Sequence, residues 1–159
     1  MNTEFEPGRS NSSGTGYNKA VNDHKKQEML VSEAIKAREM AYAPYSKFRV
    51  GAAVSDEQGR IFTGCNIENS SFGASICAER TAIFKAVSSG SKMITKISVV
   101  CDNDEYCRPC GICRQVMSEF ASDDFSLLSA KPDGSFQEFT MDEILPHAFT
   151  KFNITSETL

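Results

Sequence analysis

Two short cysteine motifs, widely separated in the sequence, place the strongest constraint on how this chain can fold. The first is CAE at residues 77–79, and the second, after the 29 residues 80–108, is PCGIC at residues 109–113. Three thiolates can hold a zinc ion while its fourth tetrahedral position stays open to water, whereas a structural zinc normally has four protein ligands. Glu79 lies two residues after Cys77. If the fold brings the motifs together, its carboxylate can therefore move protons of that water. The pattern predicts a catalytic zinc site.

Spacing alone leaves the identity of the ligands open, because Cys107, Cys110 and Cys113 form two overlapping C-x-x-C pairs. A proline directly before a ligand pair, at the start of a helix, favours Cys110 and Cys113. A site closed by Cys107 as a fourth thiolate would be a structural zinc, with Glu79 an idle carboxylate. Cys77, Cys110 and Cys113 are therefore the predicted ligands, and the four-thiolate site is the alternative.

Both motifs are predicted to stand at the start of a helix, one over residues 78–88 and the other over residues 111–120. Helix N-termini expose free N–H groups and a partial positive charge, which favours thiolate over thiol. Arg80, directly after Glu79, could also donate hydrogen bonds to the sulfurs. These features offset the negative charge that three thiolates bring to one zinc ion.

Composition and charge restrict the function classes. The formal net charge of -4 argues against a nucleic-acid binder, whose usual footprint is a basic patch. No segment has the ~18 consecutive apolar residues of a membrane span, and the N-terminus lacks the apolar region of a secretory signal. We therefore expect a cytoplasmic protein that binds neither nucleic acid nor membrane. In a reducing cytosol, six cysteines indicate metal binding or catalysis more often than disulfides.

The order of predicted elements indicates one α/β domain over residues 25–150. Residues 1–24 are rich in Asn, Ser, Gly and Thr and are expected to form a disordered tail, with a second tail at residues 151–159. A first helix is predicted from about Lys25 to Tyr42, ended by Pro44. Strands are predicted at residues 48–55, 60–65, 96–101, 125–130 and 136–139, and a short last helix at residues 141–145. This alternation predicts a three-layer α/β/α sandwich with a mixed five-stranded sheet.

Between about residue 30 and residue 150 the sequence resembles the small zinc-dependent cytidine deaminases. The matching segments are APYSKFRVGAA (43–53), TGCNIENSSFGASICAERTAI (63–83), PCGICRQVMSEF (109–120) and DEILPHAF (142–149). The resemblance implies Zn²⁺ held by Cys77, Cys110 and Cys113, with Glu79 as the catalytic proton shuttle; the zinc motif itself is a documented signature of nucleobase deaminases. It also implies the cytidine deaminase fold.

The activity implied by the resemblance is hydrolytic deamination of cytidine and 2′-deoxycytidine to uridine and 2′-deoxyuridine, with release of ammonia, in pyrimidine salvage. Glu79 would pass a proton from the zinc-activated water to N3 of the pyrimidine and a second proton to the leaving amino group. One alternative is deamination of another substrate, such as a nucleoside antibiotic, a purine base or an RNA cytidine. The other is a structural-zinc interaction module without catalysis.

The resemblance also implies a nucleoside site. Asn66 and Glu68 would hold the sugar hydroxyls, with Glu68 accepting from the 3′-hydroxyl, although Asn66 could simply be a turn residue that ends a strand. Phe48 would form an apolar wall, and the backbone around Ala78 would contact the edge of the base.

Two further aromatic residues belong to the implied site. Phe72 stands where the family often has tyrosine, so the hydrogen bond of the tyrosine hydroxyl is in doubt while the aromatic surface is kept. Phe149 resembles the C-terminal phenylalanine that reaches into the site of a neighbouring subunit to stack on the base. The resemblance therefore implies a homotetramer with shared active sites.

Overall fold

The structure, a computed structural model, describes residues 14–149, with side chains described from residue 18 onward. Within this range, four α-helices and five strands follow one another along the chain. The helices are α1 (Gly14–Arg38), α2 (Ala78–Ser88), α3 (Gly111–Phe120) and α4 (Met141–Ile144), and the strands are β1 (Val50–Asp56), β2 (Ile61–Cys65), β3 (Ile94–Cys101), β4 (Ala121–Ala130) and β5 (Phe136–Thr140). None of these helices is long and apolar enough to cross a membrane.

The five strands form one mixed sheet in the order β2-β1-β3-β4-β5. β3 and β4 run parallel and are joined through α3, whereas the other three pairs are antiparallel. A parallel pair needs a crossover connection, which α3 supplies on one face of the sheet. The carboxyl end of β3 and the start of α3 thereby come to the same edge as the start of α2.

Each face of the sheet carries its own apolar core. Alternation along β1 shows the division, since Ala52 and Val54 pack in the core with α2 and α3, whereas Ala53 packs with α1. On the α1 side, Leu30 and Ala34 are almost fully buried against the sheet. The predicted three-layer α/β/α sandwich with a mixed five-stranded sheet is confirmed.

Gly64 on β2 lets α2 approach the sheet closely. A Cβ atom at this position would collide with the backbone nitrogen of Ala82 and would lie 2.7 Å from the backbone oxygen of Ala78. Neither backbone atom can yield without moving the helix. A side chain here would displace the helix start that carries Cys77 and Glu79. This glycine therefore sets the distance between these two residues and the sheet.

Helix α1 begins earlier than the sequence predicts, at Gly14. The expectation of disorder rested on the scarcity of apolar groups, but the last residues of the predicted tail lie against the sheet. Asp23 lies 4.0 Å from Lys96 on β3, and the ring of His24 lies 5.8 Å from that of Phe136 on β5. The predicted tail is thus corrected to helix from residue 14 onward. The rest of that tail (residues 1–13) and the predicted C-terminal tail lie outside the described residues.

Helix α1 also ends earlier than predicted, at Arg38 and not at Tyr42. Its last turn tightens, with the Met40 amide donating to the carbonyl of Ala37 at 3.0 Å. The Tyr42 amide then donates to the carbonyl of Asn66 at 3.0 Å. The chain leaves the helix because this segment pairs with the segment after β2.

The remaining elements lie close to their predicted positions. Helices α2 and α3 have the predicted ends. The largest difference is β4, which begins at Ala121, directly after α3, and not at Phe125. Its first four residues include two aspartates and are not buried, so they carry no apolar signal in the sequence.

Candidate zinc centre and active site

The three predicted ligands meet at the starts of α2 and α3. Cys77 is the residue before α2, Cys110 is the residue before α3, and Cys113 lies in the first turn of α3. The three sulfur atoms all lie within 4.8 Å of one another, and the sulfurs of Cys77 and Cys110 are 3.9 Å apart. Three sulfur atoms at this separation can bind one metal ion. The fold therefore brings the two distant motifs together, as a shared zinc site requires.

The donor set fits zinc with an open coordination position. Soft thiolates in a cluster select metals such as zinc, and three protein ligands leave a fourth position for water or substrate. Cys107 is not part of the cluster; its buried thiol contacts Cys101 instead, and burial raises its pKa. Among the described residues no other His, Cys, Asp or Glu joins the three sulfurs, so the four-thiolate alternative lacks its fourth ligand.

The neighbours of Cys77 favour its thiolate form. Among the protein groups alone, the Cys113 thiol donates to Cys77, which lowers the pKa of Cys77 to about 5 and raises that of Cys113. Burial opposes the lowering at Cys77, and the Arg80 guanidinium supports it, with Nη2 at 3.5 Å from the sulfur. Arg80 Nε is buried and has no hydrogen-bond partner within the described part of the chain, whereas the same guanidinium interacts with the sulfurs of Cys77 and Cys113.

Glu79 lies beside the sulfur cluster in a nearly closed environment. Only 4% of the residue is exposed. Burial is the main reason why the pKa of its carboxyl rises to about 7; the neighbouring Cys77 thiolate adds to the rise, and hydrogen bonds with its own backbone and with Cys113 oppose it. A carboxyl group that titrates near neutral pH can both accept and return a proton. Its environment therefore suits acid–base work.

A cavity of about 310 Å³ opens onto the sulfur cluster. It is lined by Ser46, Phe48, Val50, Asn66, Glu68, Ser75, Ile76, Cys77, Ala78, Glu79, Cys107, Arg108 and Cys110. A larger groove of about 630 Å³ runs along β4, β5 and α4 but contains none of the predicted site residues. The smaller cavity is the candidate active site because it combines the metal-binding sulfurs with a buried carboxylate.

Asn66 and Glu68 reach the cavity on a segment that is paired on both sides. Between them, Ile67 exchanges two backbone hydrogen bonds of 3.0 Å with Ile76, the residue before Cys77. Glu68 donates its amide to the carbonyl of Tyr42 at 2.8 Å. This pairing links the sugar-binding residues expected from the sequence directly to the metal ligands.

The side chains of Asn66 and Glu68 are largely used by the chain itself. Asn66 accepts from the Val50 amide at 2.8 Å and donates to the carbonyl of Phe48 at 2.8 Å. These bonds match the alternative role of a residue that ends a strand. Glu68 Oε2 accepts from the amides of two loop residues, at 2.9 and 3.2 Å.

The aromatic residues of the predicted site divide into two groups. Phe48 lines the cavity and is 40% exposed. Phe72 and Phe149 do not line it in the single chain, and their exposed fractions are 75% and 66%. Phe72 packs edge-on against Tyr45 with ring centroids 5.8 Å apart, while Gln115 on α3 donates to the carbonyl of Phe149 at 2.8 Å.

Several lining residues were not predicted. Each is a sequence neighbour of a predicted residue: Ser46 and Val50 flank Phe48, Ser75 and Ile76 precede the first cysteine motif, and Arg108 precedes the second, together with Cys107, which the sequence suggested only as an alternative metal ligand. Proximity along the chain was the one signal that could have found them.

Fold and site together define a class: a three-layer α/β protein with a three-thiolate metal centre and a buried carboxylate beside it. Comparison with known proteins then identifies the family. A family model described as the cytidine and deoxycytidylate deaminase zinc-binding region matches residues 24–129. The chain belongs to this family, as its motifs predicted, and zinc is the metal that the description and the sulfur cluster indicate.

Individual relatives agree with this assignment. A cytidine deaminase from Halalkalibacterium halodurans is 49% identical over 124 residues, which cover 78% of this chain and 94% of that protein. The crystal structure of cytidine deaminase from Burkholderia pseudomallei has a TM-score of 0.72 at 41% identity and covers 76% of this chain and 97% of that one. A blasticidin-S deaminase from Bacillus cereus is 34% identical over 130 residues, covering 77% of this chain and 91% of that protein.

Proposed function

We propose that this protein is a zinc-dependent hydrolase that converts cytidine and 2′-deoxycytidine to uridine and 2′-deoxyuridine with release of ammonia. The observation that carries the proposal is the buried carboxyl group of Glu79 beside three clustered sulfurs, in a cavity that Asn66 and Glu68 also line. The relatives named as cytidine deaminases support the choice of substrate. A place in cytoplasmic pyrimidine salvage is part of the proposal, and the six free cysteines agree with a reducing compartment.

In this proposal Glu79 moves both protons of the reaction. Cys77, Cys110 and Cys113 would hold the zinc ion, which would supply a water activated for attack on C4 of the pyrimidine at neutral pH. Glu79 accepts a proton from that water and delivers it to N3 of the pyrimidine. The oxygen of the water adds to C4, and Glu79 then passes the remaining proton of that water to the amino group. The C4–N bond breaks, the C4=O bond of uridine forms, and ammonia leaves. A buried carboxyl group with its pKa near 7 suits both transfers.

The remaining lining residues hold the substrate in this proposal. Glu68 accepts a hydrogen bond from the 3′-hydroxyl, and a site built for such a bond discriminates against nucleosides that lack it. Phe48 covers one side of the substrate, and the backbone at Ala78 contacts the base. Because Asn66 is bonded to β1, its main contribution is to keep this segment in place while its remaining N–H is available to the sugar.

The proposed activity is tested by following ultraviolet absorbance of cytidine and release of ammonia together. We expect equal molar loss of cytidine and gain of ammonia, abolition after treatment with a zinc chelator, and recovery when Zn²⁺ is returned. Deamination that survives complete removal of zinc would contradict the metal assignment. Absence of cytidine and deoxycytidine turnover by the zinc-loaded protein would contradict the substrate assignment.

Blasticidin S is a second candidate substrate, because a relative with that substrate in its name covers most of this chain. The same zinc and carboxylate chemistry would deaminate either molecule. The two candidate substrates are therefore distinguished by measuring kcat/KM for each. We expect cytidine to have the higher kcat/KM. The reverse order would make blasticidin S the physiological class of substrate.

Homotetramer formation with shared active sites is also part of the proposal. Large side chains on the segments that form the cavity are exposed: Phe48 lines the cavity, Tyr45 packs against Phe72, and Tyr42 pairs with Ile67 beside Asn66. Large contiguous apolar surfaces on soluble proteins mark interaction sites. In the proposed tetramer these side chains are covered by neighbouring copies, and Phe149 of each copy stacks on the base in a neighbour's cavity.

Mixing two inactive variants tests the shared sites. Glu79→Gln keeps Phe149, and Phe149→Ala keeps Glu79, so mixed oligomers contain cavities with both native residues. We expect activity after unfolding and refolding the two chains together to exceed the sum of the separate activities several-fold. A chain carrying both substitutions, mixed with Phe149→Ala, is the control and should give no gain. A monomeric molar mass by light scattering, or no gain in the first mixture, would refute shared sites.

A further inference from the structure

Lys47 has an unusual backbone conformation next to the cavity. Its φ is 58°, in the left-handed region, and among the described residues only His147 shares a positive φ without being glycine. A side chain disfavours this region because Cβ approaches the following carbonyl oxygen. Such conformations persist where surrounding structure enforces them, often at functional sites. Lys47 lies directly before Phe48, which lines the cavity.

The turn at Lys47 directs two backbone amides toward one carboxylate oxygen. The Lys47 amide closes the loop by donating to the carbonyl of Ala43 at 3.1 Å. Within the loop, the amides of Tyr45 and Ser46 donate to Glu68 Oε2 at 2.9 and 3.2 Å. Both bonds from this loop reach the same oxygen, which leaves Oε1 to accept from a hydroxyl.

The chain on the other side of the turn is held equally firmly. The Phe48 amide donates to Ser46 Oγ at 3.0 Å, and its carbonyl accepts from Asn66 at 2.8 Å. The Ser46 hydroxyl is the largest cause that lowers the pKa of Glu68, and the positive charge of Lys47 lowers it further. Glu68 therefore faces the cavity as an ionised acceptor whose orientation depends on the loop.

We propose that Lys47 is a positioning residue for the sugar of the substrate: its left-handed backbone presents the Tyr45 and Ser46 amides to Glu68 and thereby orients the carboxylate toward the 3′-hydroxyl. This inference rests on the proposed nucleoside deaminase activity. The backbone conformation carries the effect, and the lysine charge makes a smaller contribution. A residue that tolerates positive φ should therefore replace Lys47, whereas a β-branched residue should not.

Substitutions at Lys47 separate backbone conformation from charge, because Lys47→Gly and Lys47→Val both remove the ammonium group. For Lys47→Gly we expect KM for 2′-deoxycytidine within about twofold of the unsubstituted protein. For Lys47→Val we expect KM to rise roughly five- to tenfold, with kcat changed much less. Steady-state kinetics at several substrate concentrations measures both values.

A substrate pair that differs only in the 3′-hydroxyl identifies the group that is affected. The ratio of kcat/KM for 2′-deoxycytidine to that for 2′,3′-dideoxycytidine should fall in Lys47→Val and stay unchanged in Lys47→Gly. Lys92→Val is the matched control, because Lys92 is an exposed loop lysine without a positive φ. Its kinetics should not change, and zinc content and melting temperature are compared for all three variants.

Each outcome bears on one hypothesis. Equal kinetics of Lys47→Val and Lys47→Gly, in an enzyme that deaminates cytidine, would overturn the role of Lys47 and leave the proposed function intact. An equal loss on both substrates of the pair would also overturn it, since the 3′-hydroxyl would not be involved. Failure of the unsubstituted, zinc-loaded protein to act on any cytidine nucleoside would overturn the proposed function instead.

Discussion

Replacing Glu79 by glutamine is expected to lower kcat by about 10²–10⁴-fold, because general acid–base transfer contributes about that factor. The substitution keeps the size of the side chain and removes its ability to accept and return a proton. Glu79 is not one of the three clustered sulfur ligands, so the variant should still bind one zinc ion per chain. Kinetics and metal analysis on the same preparation measure both results.

A second glutamate serves as the matched control for this substitution. Glu119 lies exposed on α3, and Glu119→Gln makes the same chemical change away from the cavity. Its kcat should equal that of the unsubstituted protein. Near-normal turnover by Glu79→Gln would remove Glu79 from the mechanism. Loss of zinc together with activity would give it a structural role in place of a catalytic one.

Replacing Cys110 by alanine is expected to abolish zinc binding, and with it both activity and part of the stability. A ligand that binds only the folded chain stabilises it by about 2.7–4.1 kcal/mol at 100–1,000 times its Kd. Loss of the ion therefore lowers the melting temperature, and the variant's melting temperature should no longer respond to a chelator. Metal content, deamination rate and thermal unfolding with and without chelator provide the measurements.

Cys107→Ala distinguishes this result from a general effect of removing a thiol. Cys107 lines the same cavity but lies outside the sulfur cluster. We expect this variant to keep one zinc ion per chain and a melting temperature that still falls on chelation. Zinc loss in Cys107→Ala would support the four-thiolate structural site, and zinc retention by Cys110→Ala would contradict the assigned ligand set.

The parts of the site that lie close together in the sequence were predictable. Cys77 and Cys110 immediately precede α2 and α3, and both helices have the ends predicted from their local sequence. The motif PCGIC combines a helix start and two ligands within five residues, so its geometry depends little on the rest of the fold. Local backbone preference and ligand chemistry agree here, which makes the prediction reliable.

The parts that depend on distant contacts were not predictable. Helix α1 extends back to Gly14 and includes Asp23, which lies 4.0 Å from Lys96, a residue far along the chain. The side chain of Asn66 bonds to the Val50 amide of β1 and to the carbonyl of Phe48, and the sequence around Asn66 identifies neither partner. The sequence near each of these residues does not identify its partner, because the partners are brought together only when the sheet assembles.

The two cysteine motifs, the first of which contains Glu79, determined the chemistry by sequence alone, since three thiolates and one carboxyl group are best suited to binding zinc and moving protons. Tertiary structure decided the rest. It excluded Cys107 from the metal cluster, buried Glu79 so that its pKa rises to about 7, and turned the chain at Lys47 toward Glu68. Distances between segments, burial and backbone strain arise only when the layers of the fold pack together.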